Sequence, residues 1–182
     1  MQQNHSSERP VLTLTLAFSV RERAGARVLP KTNRIAPAQS LSLAMLPGLK
    51  PHHIGWAVAD VESATALFSG LGYTLEASLP DRTDPNFQVT LRFLRPANEG
   101  LLIELVAPTA PGSSVSAILK RSGPGPYHLG FRVDDLDAAG AQLAQRGFLP
   151  LSQPHSAPAF AGRLIRFWRS PAIGLIELIL WP

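Results

Sequence analysis

The sequence predicts an α+β fold: two tandem βαβββ modules whose sheets form a shared open barrel around one cavity. Three observations predict it. An internal repeat runs through residues 51–182, strand-like alternation gives way to helical spacing at the same point in each copy, and turn residues divide the rest of each copy into short apolar runs. A chain of 182 residues can bury a real core in one such domain.

The first 50 residues lie outside the repeat and read as a disordered or leader-like extension. They hold seven Lys and Arg against two acids, whereas residues 51–182 hold ten against eleven. The net charge of +4 therefore comes from the extension. The repeat region is close to neutral, and without a clustered basic surface no nucleic-acid partner is expected. The apolar run Val11 to Val20 is too short to span a bilayer, so no membrane segment is expected. A charged stretch from Arg21 to Arg27 follows it where a secretory signal would carry a small-residue cleavage site. The extension reads as a disordered tail, with an organelle transit peptide or non-native residues upstream of Met45 as alternatives. Localisation is expected to be cytoplasmic, or organellar if the extension is a transit peptide.

The repeat is read residue by residue. His53-Ile54-Gly55-Trp56-Ala57-Val58 returns 75 positions later as His128-Leu129-Gly130-Phe131-Arg132-Val133. Leu91-Arg92-Phe93-Leu94-Arg95 returns as Ile165-Arg166-Phe167-Trp168-Arg169, and Ile103-Glu104-Leu105 as Ile176-Glu177-Leu178. Module 1 is placed at 51–108, a linker at 109–126 and module 2 at 127–182.

Within module 1, Ile54, Trp56 and Val58 alternate with His53, Gly55 and Ala57, which predicts a strand with two different faces. Val61, Ala64, Leu67, Phe68 and Leu71 recur at helical spacing, and Gly72 marks the helix end. Three further strands are expected at 74–78, 88–94 and 101–106, with counterparts at 150–152, 164–169 and 175–180. The Pro-, Gly- and Ser-rich linker holds one short helical segment, Val115 to Leu119. A four-stranded sheet with a helix on one face leaves its other face bare, so the two sheets are expected to curl around a common hollow.

Alternation also selects what enters that hollow. If Ile54, Trp56 and Val58 pack on the helix, His53 faces the cavity, and the repeat places His128 there too. Glu104 and Glu177 each stand between strong strand formers, where a carboxylate is costly unless it is paired or bound to metal. Two imidazoles and two carboxylates balance a divalent cation. Without cysteine the donor set is nitrogen and oxygen only, which suits Zn, Co, Ni, Mn or Fe. In the absence of metal, the two carboxylates are expected to repel, with one retaining its proton to unusually high pH. By the same alternation His52 points away. His155, in a Pro-rich loop, and His5, in the extension, are set aside.

At these residues the chain resembles the vicinal oxygen chelate superfamily, which contains glyoxalase I, methylmalonyl-CoA epimerase, extradiol dioxygenases and bleomycin resistance proteins. The resemblance covers residues 51–182 and rests on HHIGWAVADVESA, IELVAP, YHLGFRVDDLDAAGAQLAQRGF and GRLIRFWRSPAIGLIEL. It is strongest to the epimerase and glyoxalase branch, and it implies the glyoxalase/bleomycin resistance/dioxygenase fold with metal ligands at His53, Glu104, His128 and Glu177. Epimerases often carry Gln at the position of Glu104, and glyoxalase I often carries Glu. Some epimerases also have a carboxylate base on the third strand, where this chain offers Thr90 or Arg92.

The implied activity is that of a metal-dependent epimerase or lactoylglutathione lyase-like enzyme. A metal-polarised carbonyl would stabilise the enolate formed when the adjacent carbon loses its proton. Glu177 is the first choice of base and Glu104 its partner. The expected substrate is an acyl-CoA thioester or a glutathione hemithioacetal. Arg132, which shares the strand parity of His128, together with Arg163 and Phe160 are the candidate substrate contacts, with Arg92 and Arg166 behind them. Residues 154–162 are a candidate loop over the cavity. A homodimer is the assembly the resemblance suggests. Two other classes compete: a metal-free small-molecule binding protein of the bleomycin-resistance kind, which would not need all four ligands, and an extradiol-type dioxygenase, which needs two His and one Glu.

Overall fold

In the computed structural model, β1 (Lys50–Ala57) is followed by α1 (Val61–Gly70), β2 (Tyr73–Leu75), β3 (Arg82–Asp84), β4 (Val89–Pro96) and β5 (Leu102–Pro108). After the short helix α2 (Ser116–Ser122) come β6 (Gly125–Val133), α3 (Leu136–Gln145), β7 (Leu149–Pro150), β8 (His155–Ser156), a 3-10 turn (Pro158–Phe160), β9 (Leu164–Ser170) and β10 (Gly174–Leu180). The structure describes residue 46 and residues 48–182. The expected leader-like extension, with His5, lies outside the described residues except for its last few positions. Among the described residues no helix is long and apolar enough to cross a membrane.

All ten strands belong to one curved, unclosed sheet, ordered β2-β4-β5-β1-β6-β10-β9-β7. The order is a palindrome of the repeat: β1 and β6 meet antiparallel in the middle, and each pairs on its other side, in parallel, with the last strand of its own module. The two additional strands, β3 and β8, were not expected. They are three and two residues long and pair with the equivalent strands β4 and β9.

Both crossover helices start on the same device. Asp60 and Asp135 take extended N-cap conformations and accept from the backbone N–H groups of Ser63, and of Asp137 and Ala138. Each helix then packs on the convex face of its own module. Val61, Ala64 and Phe68 meet Leu94, Ile103 and Leu105, while Leu136, Ala139 and Leu143 meet Trp168, Ile176 and Leu178. The apolar stripe of α1 is narrower than its sequence suggests. Leu67 lies at the rim of the stripe and Leu71 is the C-cap beyond the last helical turn, so both remain 74% exposed. On the concave face a third cluster joins the modules, bringing Leu91, Phe93 and Val106 together with Phe160, Ile165 and Ile179.

Arg92 lies on the convex side of β4, where it is 9% exposed. It donates to both carboxylate oxygens of Glu62 and of Asp81, and to the Thr65 hydroxyl. It ties α1 and the β2–β3 loop to the sheet, and is neither a solvated strand charge nor a cavity residue. The hydrogen bonds from Arg92 hold the Glu62 carboxyl below its ordinary value of 4.5. A depressed carboxyl stabilises the fold fully above its unfolded-state pKa, and that contribution is lost as pH falls through the folded value. Thermal unfolding of wild type beside Arg92→Met is therefore expected to show the widest gap above pH 4.5, narrowing as acid protonates Glu62.

Candidate metal centre

The centre is built at the seam where β1 and β6 pair. His53 lies opposite Gly130, and Gly55 lies opposite His128, so each imidazole rests on the glycine of the other module. A Cβ at Gly55 would lie 2.5 Å from Nε2 of His128, and one at Gly130 would lie 2.7 Å from Nε2 of His53, both closer than real Cβ atoms approach. Neither glycine has a positive φ. It is the facing imidazole, not the backbone, that requires glycine in the His-x-Gly motif of each copy.

The seam also contains two β-bulges related by the repeat. One lies between Pro51 and His53 and makes His52 the additional residue on β1, and the other makes Tyr127 the additional residue on β6. A bulge cancels one step of the alternation. His52 consequently turns towards the cavity side, its Nδ1 2.9 Å from Nδ1 of His53 and its ring packed among Phe93, Phe160 and Trp181. The expectation that His52 points away is corrected by this bulge.

Glu104 and Glu177 reach the same point from β5 and β10. Nε2 of His53 is 3.4 Å from Oε2 of Glu104 and 3.2 Å from Oε2 of Glu177. The corresponding distances from Nε2 of His128 are 3.4 and 3.8 Å, and the two Nε2 atoms are 2.8 Å apart. One ligand atom from each of the four residues thus lies within 4.8 Å of every other, and all four side chains are buried.

These donors fit a divalent ion. Four-coordinate nitrogen and oxygen ligands at about 2.0–2.2 Å stand about 3.3 Å apart, close to most of the separations found here. Oε2 of Glu177 is buried without a hydrogen-bond partner, an acceptor that a cation would satisfy. The charge argument points the same way. Burial disfavours an imidazolium at His53, yet Glu104 and Glu177 outweigh it and raise the His53 pKa to about 9. Burial likewise disfavours the Glu104 carboxylate, and His53 and His128 outweigh it to hold that carboxyl at about 2. A site that is kept this negative calls for a cation. The expectation of a retained carboxyl proton is corrected for Glu104: the raised pKa belongs to the His53 imidazole instead.

A cavity of about 60 Å³ opens beside the cluster, with Glu104, His128 and Glu177 in its wall. The remainder is mostly apolar, including Phe87, Tyr127, Phe167 and, from the 3-10 turn, Phe160. On β4 the lining residues are Val89 and Leu91, so neither Thr90 nor Arg92 presents a third-strand base to the cavity. Phe160 is buried, its ring centroid 6.0 Å from that of His53. Arg132 and Arg163 do not line this cavity. Their guanidiniums lie 5.5 and 4.5 Å from the Trp181 ring. Arg166 stacks on Trp168 at 4.8 Å, on the convex side. His155 packs against Phe87 and Phe167, with Nδ1 at 3.1 Å from the Gln153 carbonyl.

Tyr127, Phe87 and Phe167 were missed as cavity residues. Phe167 had a signal, because it occupies the cavity-facing parity of β9 beside Ile165. Tyr127 had none, since only the bulge brings it inward.

Comparisons with known proteins agree with this geometry. Residues 52–167 match the family described as the glyoxalase/bleomycin resistance protein/dioxygenase superfamily. Similar solved structures include the methylmalonyl-CoA epimerase of Mycobacterium tuberculosis, 27% identical with a TM-score of 0.62, covering 78% of this chain and 92% of that one. A selenomethionine methylmalonyl-CoA epimerase is also 27% identical with a TM-score of 0.62, covering 74% and 97%. At 22% identity and a TM-score of 0.62, a methylmalonyl-CoA epimerase in complex with methylmalonyl-CoA and NH4+ shares the fold over 72% of this chain and 94% of that one. No curated protein sequence matches the chain. With the match extending over well more than half its length, the chain belongs to the glyoxalase/bleomycin resistance protein/dioxygenase superfamily.

Proposed function

We propose that this protein is a metal-dependent isomerase or lyase that moves a proton on the carbon next to a carbonyl group, with an acyl-CoA thioester as the favoured substrate. The observation that carries the reading is the buried His53, Glu104, His128 and Glu177 cluster, of which Glu104, His128 and Glu177 line an apolar cavity. The likeness to methylmalonyl-CoA epimerases favours the thioester over a glutathione hemithioacetal.

A divalent ion held by those four residues would polarise the substrate carbonyl and stabilise the negative charge that develops there. The chain's own residues do the remainder. Glu177, whose carboxylate lies in the cavity wall, accepts the proton from the substrate carbon. Glu104 reaches in from the opposite module and relays a proton from water to the other face, while Glu177 releases to water the proton it took. The aromatic and aliphatic walls exclude bulk water and so strengthen each of these interactions. The Pro158–Phe160 turn, together with Phe87, Ser114 and Ile118, forms the part of the wall outside the sheet, where a thioester would enter.

The test is proton exchange. The wild-type protein loaded with Zn2+, Co2+ or Mn2+ and incubated in D2O with methylmalonyl-CoA is expected to place deuterium at the carbon next to the thioester, as read by mass spectrometry. A panel of 2-substituted acyl-CoA thioesters and the methylglyoxal–glutathione hemithioacetal, all unchanged with every metal, would sink the reading.

A further inference from the structure

An imidazole that ligates a metal through Nε2 is held in place by what its other nitrogen does. The two modules differ at this point. Nδ1 of His53 meets Nδ1 of His52 at 2.9 Å, while Nδ1 of His128 is buried with no partner. The residue equivalent to His52 is Tyr127, whose ring is nearly perpendicular to that of His128 at a centroid distance of 4.5 Å and has no nitrogen lone pair of the kind His52 offers.

We infer that His52 is a positioning residue for His53: Nδ1 of His52 accepts a hydrogen bond from Nδ1–H of His53, which fixes the tautomer that leaves Nε2 of His53 free for the metal. The inference rests on the metal reading above. A proton on Nε2 in place of Nδ1 would occupy the space among Glu104, His128 and Glu177 that the ion needs. His52 is itself immobilised, with Phe160 and Trp181 ring centroids at 5.7 and 5.5 Å, so the acceptor is presented in one orientation. The bulge before His53 is what makes the contact sterically available, because regular alternation would put the two imidazoles on opposite faces. Module 1 thus supplies a fixed ligand and module 2 an adjustable one.

The test compares wild type, His52→Phe and His52→Asn by calorimetric titration with Zn2+. Phe keeps a ring among the neighbouring aromatics but has no acceptor, and Asn carries Oδ1 close to where Nδ1 of histidine stands. His52→Phe is expected to weaken Zn2+ binding about 10–100-fold, with His52→Asn recovering most of the loss. The ring-nitrogen NMR spectrum of zinc-loaded wild type is expected to show His53 protonated at Nδ1 and exchanging slowly with water. This readout does not require His52→Phe to fold. Zn2+ binding by His52→Phe within about twofold of wild type would overturn the inference. So would His52→Asn binding as weakly as His52→Phe, or a wild-type His53 with bare Nδ1. Wild type that binds no Zn2+ would instead remove the metal reading beneath it, so the two failures are distinguishable.

Discussion

Glu177→Gln is expected to cut deuterium exchange into the substrate by about 10²–10⁴-fold at saturating metal, the range associated with loss of a positioned base. Gln keeps the size and hydrogen-bonding shape of Glu but cannot take a proton. It also removes one of the two negative charges that balance a divalent ion, so metal affinity falls as well, and the assay must be run with the site filled. Glu104→Gln separates the two carboxylates. With Glu177 intact, exchange on one face continues, while inversion at the carbon, read with a single epimer as substrate, is lost. Equal loss of exchange in both variants would contradict the division of labour.

A second large effect is expected from one methyl group. In Gly130→Ala the new Cβ meets the His53 ring inside hydrogen-bond distance, and in Gly55→Ala the new Cβ meets His128 in the same way. The His53 ring is closed in by Phe93 and Phe160, so the larger effect is expected in Gly130→Ala, while His128 has Tyr127 on one side and the cavity on another. Overpacking of this kind costs about 1–3 kcal/mol of stability. Displacing a ligand imidazole is expected to lower metal affinity by at least about tenfold, as loss of a residue that orients a ligand does. Metal titration and thermal unfolding of both variants check this. Wild-type metal affinity in Gly130→Ala would mean that the imidazole is not held where the structure places it.

The halves of this protein were legible in the sequence because the same side-chain types recur at nearly constant offsets, and the four buried polar residues recur with them. Strand parity then carried His53, His128, Glu104 and Glu177 to one face. The two bulges were not legible. A bulge adds one residue to one strand of a pair, and neither the His52-His53 nor the Tyr127-His128 dipeptide shows that its backbone breaks alternation there. Parity reasoning therefore sent His52 to the wrong side and overlooked Tyr127. β3 and β8 escaped because three and two residues hold too little periodicity to be read. The surroundings of Arg92 were not legible for another reason. Parity could place Arg92 on the helix side, but its partners come from a helix 30 positions upstream and a loop 11 positions upstream, so only the folded chain shows that it is fully engaged.

The protonation state of the cluster depended on distances that no sequence pattern supplies. With Nε2 of His53 between two carboxylate oxygens at 3.2 and 3.4 Å, the imidazole pKa is raised and that of the Glu104 carboxyl lowered. That arrangement is also the one a cation would replace most readily, because binding need only displace the imidazolium proton.

The most direct measurement is the metal content of the purified protein, determined by elemental analysis for wild type beside His128→Ala. Wild type is predicted to carry about one divalent transition-metal ion per chain and His128→Ala to carry little or none, since the three remaining donors leave the cluster without its second imidazole. Wild type with no metal above background, after exposure to each of Zn2+, Co2+, Ni2+, Mn2+ and Fe2+, would contradict the account.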